Sequence, residues 1–74
     1  MIAFRLDGSV SEMQGGKKRA RRFIGKSVVY KDYGDLTIAY DGSSSEKNDL
    51  ATMAARILGG KEVYGNACVY NNTL

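Results

Sequence analysis

Residues 27–40 read SVVYKDYGDLTIAY, and the period of this stretch decides the fold class. SVVYK, Ser27–Lys31, is rich in β-branched and aromatic residues, which fit a pleated strand. In DLTIAY, Leu36, Ile38 and Tyr40 fall on one side of a two-residue alternation, with Thr37 and Ala39 on the other. Between the two runs, KDYGD carries Gly34 and the aspartates Asp32 and Asp35, the chemistry of a hairpin loop. The first element is therefore an antiparallel hairpin.

Downstream, DGSSS is a turn that leads into a helix. Ser43 and Glu46 have capping-box spacing, and Glu46 and Asp49 place negative charge near the helix N-terminus, where the dipole favours it. In EKNDLATMAARIL, the residues Leu50, Met53, Ala54, Ile57 and Leu58 form one apolar stripe expected to face the core, and Gly59-Gly60 ends the helix. EVYGNACVY then reads as a strand with Val63, Ala67 and Val69 on one face and Tyr64, Cys68 and Tyr70 on the other. Both faces are largely apolar, which suits a central strand or a subunit interface. Residues 71–74 read as a frayed end.

Upstream, Ile2, Phe4 and Leu6 alternate with Ala3 and Arg5, a half-buried strand that ends at Asp7-Gly8. Ser9 and Glu12 repeat the capping-box spacing, which predicts a short helix from about Val10, interrupted by Gly15-Gly16. In KKRARRFI, Ala20, Phe23 and Ile24 lie three and four apart, and Gly25 is suited to close a helical turn. Short helix and irregular turn both remain open there. The expected architecture over residues 1–74 is one small α+β domain, an antiparallel sheet of about four strands with one main helix packed on one face.

Composition narrows the chemistry. Hydrophobic residues make up 43% of the 74 and charged residues 26%, too apolar for a disordered chain. With one cysteine, no disulfide forms within the chain. With no histidine, a metal site would have to be built from Cys68 and carboxylates, so neither metal nor cofactor is expected. A core this small supplies about 3–5 kcal/mol, and a homodimer or larger assembly is the expected reinforcement. No apolar run approaches the roughly 20 residues that span a bilayer, no signal-peptide pattern opens the chain, and a free thiol suits a reducing compartment. No membrane contact and a cytoplasmic location are expected.

The octapeptide ARRFIGKS, Ala20–Ser27, fits a relaxed phosphate-loop pattern through Gly25, Lys26 and Ser27. A phosphate loop needs strand, glycine-rich loop and helix in that order. Here Ala20 replaces the first glycine, Arg21, Arg22, Phe23 and Ile24 crowd the loop, and Val28-Val29-Tyr30 follows as a strand, so the match is accidental. Cys68 has no base to activate it, and Asp32 and Asp35 read as turn formers. No catalytic residue is expected and the chain reads as a non-enzyme.

What remains is charge. Residues 1–40 hold eight Lys/Arg against four acids, whereas residues 41–74 hold three against four. Six cations, Lys17, Lys18, Arg19, Arg21, Arg22 and Lys26, fall within ten residues, and such a field is useful when something negative accepts it. These six, with Tyr30 and Tyr33 just beyond them as stacking or contact residues, are the expected partner-binding site. No RNA-recognition, KH or helix-turn-helix signature accompanies them.

The size, the absence of catalytic residues and the ending YDGSSSEKNDLATMAARILGGKEVYGNACVY resemble small α+β proteins carried by phages and mobile elements, anti-CRISPR-type counter-defence inhibitors among them. The resemblance implies a stoichiometric inhibitor that occludes a host protein or a nucleoprotein complex such as an RNA-guided nuclease. Many members of that group are acidic DNA mimics, and this chain is basic. Direct DNA or RNA binding is the alternative expectation, and a structural or assembly subunit is a third.

Overall fold

The structure, a computed structural model, describes residues 1–73. The expected hairpin is present: β3 (Val28–Tyr33) and β4 (Leu36–Asp41) pair antiparallel from Val28 opposite Asp41 to Tyr33 opposite Leu36. β3 runs further than its loop chemistry suggested. Asp32 lies within the strand, where its carboxylate accepts the Thr37 hydroxyl at 2.6 Å, and the loop is Gly34-Asp35 alone. Gly34 takes φ +64°, the conformation that opens a II′ two-residue loop and that glycine enters without steric cost.

The sheet has five strands and not four. β1 (Ile2–Phe4), β2 (Val10–Glu12) and β5 (Ala67–Asn71) join the hairpin in the order β2-β1-β5-β4-β3, every pair antiparallel. β5 is central, one of the two placements its two apolar faces allowed. The helix expected near Val10 is instead strand β2. Asp7 accepts the Ser9 N–H at 2.8 Å, Gly8 N–H reaches the Arg5 carbonyl at 3.0 Å, and the chain folds back as a hairpin. Gly15-Gly16 follows too soon for the residues after Ser9 to sustain a helix.

The described residues form two helices, one on each face of the sheet: α1 (Lys17–Ile24) and α2 (Asp49–Ile57). The register places Tyr30, Ala39, Cys68 and Ala3 in one row on the α1 side, where Ala20 packs into a cluster with Ala3, Ala39 and Cys68. On the other face, Ala51 and Ala55 of α2 close over Ile38 and Ala67. The apolar stripe expected to bury α2 faces the core only in part: Leu58 packs against it and Ala54 is half-buried. Ala51, Thr52 and Ala55 are buried, whereas Leu50, Met53 and Ile57 are exposed. Ala51 and Ala55 cluster with Ile38, Val63 and Ala67, and Leu58 packs against them.

The cap of α2 is Asn48, not Ser43. Ser43 donates its N–H to Asp41 at 2.9 Å, forming a local turn, while the buried Asn48 accepts the Ala51 N–H at 3.1 Å. Asn48 Nδ2 also donates to the Phe4 carbonyl at 2.9 Å and the Gly65 carbonyl at 2.8 Å, tying the start of α2 to β1 and to the approach of β5. The last strand is shorter than expected at its start. The Val63 N–H donates to the Thr52 hydroxyl and its carbonyl accepts the Asn48 N–H, while Tyr64 makes only an isolated bridge to Lys47. Gly65 then takes φ +74°, and a Cβ there would lie 2.7 Å from Asp41 Cβ. Of the expected frayed end, Asn72 is tied, its N–H donating to the Asp35 carbonyl at 2.8 Å and its Nδ2 to Thr37 at 2.8 Å. Leu74 lies outside the described residues.

Because Asn48 serves three partners at once, Asn48→Ala removes a helix cap and takes its donor from two carbonyls, that of Gly65 in a buried bond and that of Phe4 in a half-buried one. Urea denaturation is expected to show a loss of about 2–4 kcal/mol. Asn48→Asp retains the cap but turns a carboxylate oxygen on the same carbonyls. Its folded-state pKa is then raised, so the variant regains stability as pH falls through the carboxylate range, and a pH series of urea midpoints measures this.

Candidate functional site

α1 is eight residues long, and five of them are cationic. A helix this short is marginal in water, and like charges three and four apart weaken it further. Its stability comes from one face. Ala20 is fully buried and Phe23 and Ile24 pack against the same cluster, which includes Cys68 and Tyr70. Gly25 stops the helix, its N–H donating to the Arg21 carbonyl at 2.8 Å. Arg21 and Arg22 sit in the last turn, where the helix dipole favours cations.

The opposite face carries the charge. Lys17, Lys18, Arg19, Arg21, Arg22 and Lys26 are all exposed. Lys18, Arg21 and Arg22 stand one helical turn apart and, with Gly25 and Lys26, line one shallow open depression. Among the described residues the only ion pair joins Arg56 to Glu62 at 3.8 Å, so none of the six cations is matched by an acid. The arrangement presents four positive groups around a shallow concavity, which is suited to oxygens of phosphate or carboxylate.

The remaining candidates are divided. Lys17 Nζ stands over the Tyr30 ring, 4.7 Å from its centroid, so Tyr30 belongs to the α1 side but is half-buried beneath a lysine. Arg19 flanks Gly15, where a Cβ would meet Arg19 Cβ at 2.6 Å. Tyr33 is on the other face of the sheet. Its hydroxyl lies against Gly60, and with Lys31, Tyr40 and Lys61 it lines a separate cleft of about 330 Å³, near the lower end for small-molecule pockets. The sequence reading omitted Arg5, whose guanidinium sits 5.3 Å above the Phe23 ring and donates to Ser11 at 2.8 Å. Its alternation with Ile2 and Phe4 placed it opposite them, but only the position of α1 shows which face that is.

The phosphate-loop pattern spans the second half of α1 and the turn into β3, so its order is helix, turn, strand. The amide of Gly25 closes the helix and does not point at a ligand site. Cys68 is fully buried in β5, and burial pushes its thiol up to about 11. Asp32 is held by Thr37, whose hydroxyl in turn accepts from Asn72. Among the described residues no helix is long and apolar enough to cross a membrane. Set against known protein families, curated proteins and solved structures, the chain matches none of them.

The raised thiol fixes two outcomes. At pH 8 about one native thiol in a thousand is ionised, so alkylation of Cys68 is expected to track unfolding, slow in buffer and fast in denaturant. Because the folded pKa lies above the unfolded value of 9.0, the stability it contributes is full below pH 9 and is lost as pH rises towards about 11. Cys68→Ala removes that component of the alkaline decline in a pH series of melts.

Proposed function

We propose that this chain is a non-enzymatic binding protein that docks the outer face of α1 on phosphates of a nucleic acid, free or held within a nucleoprotein complex. The observation that carries the reading is the cluster of Lys18, Arg21, Arg22 and Lys26 around one depression with no acid beside it. Such a cluster weakens the helix it sits on, and the repulsion is relieved when phosphates replace counterions. Tyr30 is half-buried beneath Lys17, which leaves it little face for a base. Contact is therefore to the backbone, with shape and spacing selecting the site in preference to base edges.

An inhibitory role follows if the phosphates belong to a host nucleoprotein machine. A wedge whose Cα extents are 30 × 25 × 20 Å, anchored by one basic face, blocks a nucleic-acid channel by filling it. This agrees with the stoichiometric, phage-type inhibitor implied by the size and the C-terminal pattern. The same docking on an acidic protein surface is the competing outcome.

Titration of labelled DNA and RNA at two salt concentrations separates these. Four neutralised phosphates on duplex DNA give a log–log salt slope of about −3.6, a loss of about a hundredfold in affinity between 50 and 200 mM. Arg21→Glu with Arg22→Glu abolishes binding while the circular dichroism spectrum is unchanged. Lys18→Glu is the sharper probe. It places an acid in the first turn of α1, three and four residues before Arg21 and Arg22, so Tm rises by about 2–4 °C while binding weakens. Absence of binding to any nucleic acid at low salt would sink the phosphate reading and leave the acidic protein surface.

A further inference from the structure

The geometry points to a homodimer in which the α2 sides of two copies meet face to face, each copy's α2 covering the part of the sheet that the other leaves bare. The inference is independent of the phosphate reading. It starts from how little one helix covers. Five strands about 4.8 Å apart make a sheet near 19 Å wide, whereas a helix is about 10 Å across. α2 closes over Ile38 of β4 and Ala67 of β5. Beside it, Ile2 and Phe4 of β1, Val69 of β5 and Leu36 of β4 share with Ala54, Ile57 and Leu58 a groove lined only by apolar residues. Val10 of β2, opposite Phe4 in register, extends the bare area.

The exposed apolar residues gather here. Ile57 is 85% exposed, Met53 61%, Val10 51% and Ile2 37%, and Leu50 continues the α2 stripe. Single exposed hydrophobics are ordinary, but a contiguous set of this kind marks an interface.

Charge and area select a second copy as the occupant. α2, its flanking segments and the sheet face beneath it carry Glu12, Glu46, Asp49 and Glu62 against Lys31, Lys47, Arg56 and Lys61, a balance of zero. The whole formal excess of +3 therefore lies elsewhere, mainly on α1 across the sheet. Two copies can meet through the α2 sides without opposing like fields, which the α1 sides do not permit. A stable interface takes about 800 Å² from each partner. The two longest Cα extents, 30 and 25 Å, give a broad face on the order of 750 Å², so a dimer of this chain needs nearly a whole face. The α2 side is the one that is both apolar and neutral.

A two-fold axis parallel to the strands performs the exchange. It carries α2 from above β4 and β5 of one copy to above β1 and β2 of the facing sheet, so that the two α2 helices form one layer between two sheets. Both α1 helices then face outward, on opposite ends of the dimer.

Sedimentation equilibrium of the wild type, Ile57→Glu, Met53→Glu and the Arg21→Glu/Arg22→Glu double variant tests this. The wild type is expected at twice 8.1 kDa at about 0.1 mM, where a micromolar dissociation constant leaves nearly all chains paired. Ile57→Glu weakens association about a hundredfold, since the two-fold repeats the lost burial at both halves, and Met53→Glu acts in the same direction. Both side chains are exposed in the monomer, so thermal melts confirm that the variants fold. The α1 double variant remains dimeric. A monomeric wild type at 0.1 mM overturns the proposal, as does a dimer that neither α2 substitution weakens.

Discussion

The contact on which the remainder depends is that of Ala20 with the row Ala3, Cys68 and Ala39. α1 carries five cations in eight residues and has no acid in its first turn, so nothing in its own sequence holds it together in water. It is held because the centre of the sheet is built from small side chains that form a trough. Ala20 enters the trough, and Phe23 and Ile24 pack against the same cluster. The same requirement explains why a cysteine stands at the second position of the central strand β5: the position admits a small, fully buried group, and the burial that seats the helix also keeps the thiol protonated.

The second face repeats the device with a different result. Ala51 and Ala55 bring α2 close to Ile38 and Ala67, and Thr52 pairs its hydroxyl with both backbone groups of Val63. Of the large residues of α2 and its C-terminal cap, Leu58 packs against this cluster, whereas Leu50, Met53 and Ile57 turn away. The usual inference from hydrophobic periodicity takes the bulkiest stripe as the buried one, and for α2 that holds for Leu58 but not for Leu50, Met53 and Ile57. The stripe was legible in the sequence, but its partner was not, because which residues of α2 meet the sheet depends on side chains in strands far away along the chain. The β3–β4 hairpin needed no such information. Its alternation and its loop are local, and Leu36, Ile38 and Tyr40 share a face as the two-residue period requires.

Two misread helix starts have one cause. Both Ser9 and Ser43 follow the dipeptide Asp-Gly and precede a glutamate by three residues. In each, the aspartate two positions back accepts the serine amide, at 2.8 and 2.9 Å, and the chain makes a tight turn. The carboxylates of Asp7 and Asp41 have lowered pKa values, set first by their serine hydrogen bonds. Asp-Gly-Ser is thus a competing signal to the capping box and was visible in the sequence. The buried cap, Asn48, was not distinguishable from its polar neighbours, because its weight comes from the carbonyls of Phe4 and Gly65, which the fold brings to it.

The basic segment was the most legible part of the site, and its limits were the least. Charge density along the chain marked Lys17 to Lys26 without reference to any fold. Distance along the chain then suggested that Tyr30 and Tyr33 belong with it, yet three residues in a strand reverse the face, and Tyr33 ends beside Gly60. The separation changes what the site can read. On the proposed docking, a patch of arginines and lysines whose nearest tyrosine is covered by Lys17 would register where phosphates lie and not which bases carry them. Discrimination must then come from the spacing of phosphate clusters, and a single short helix measures little spacing. In the proposed dimer the two α1 helices face outward on opposite ends, so the pair would bridge two anionic segments and would not read the spacing within one.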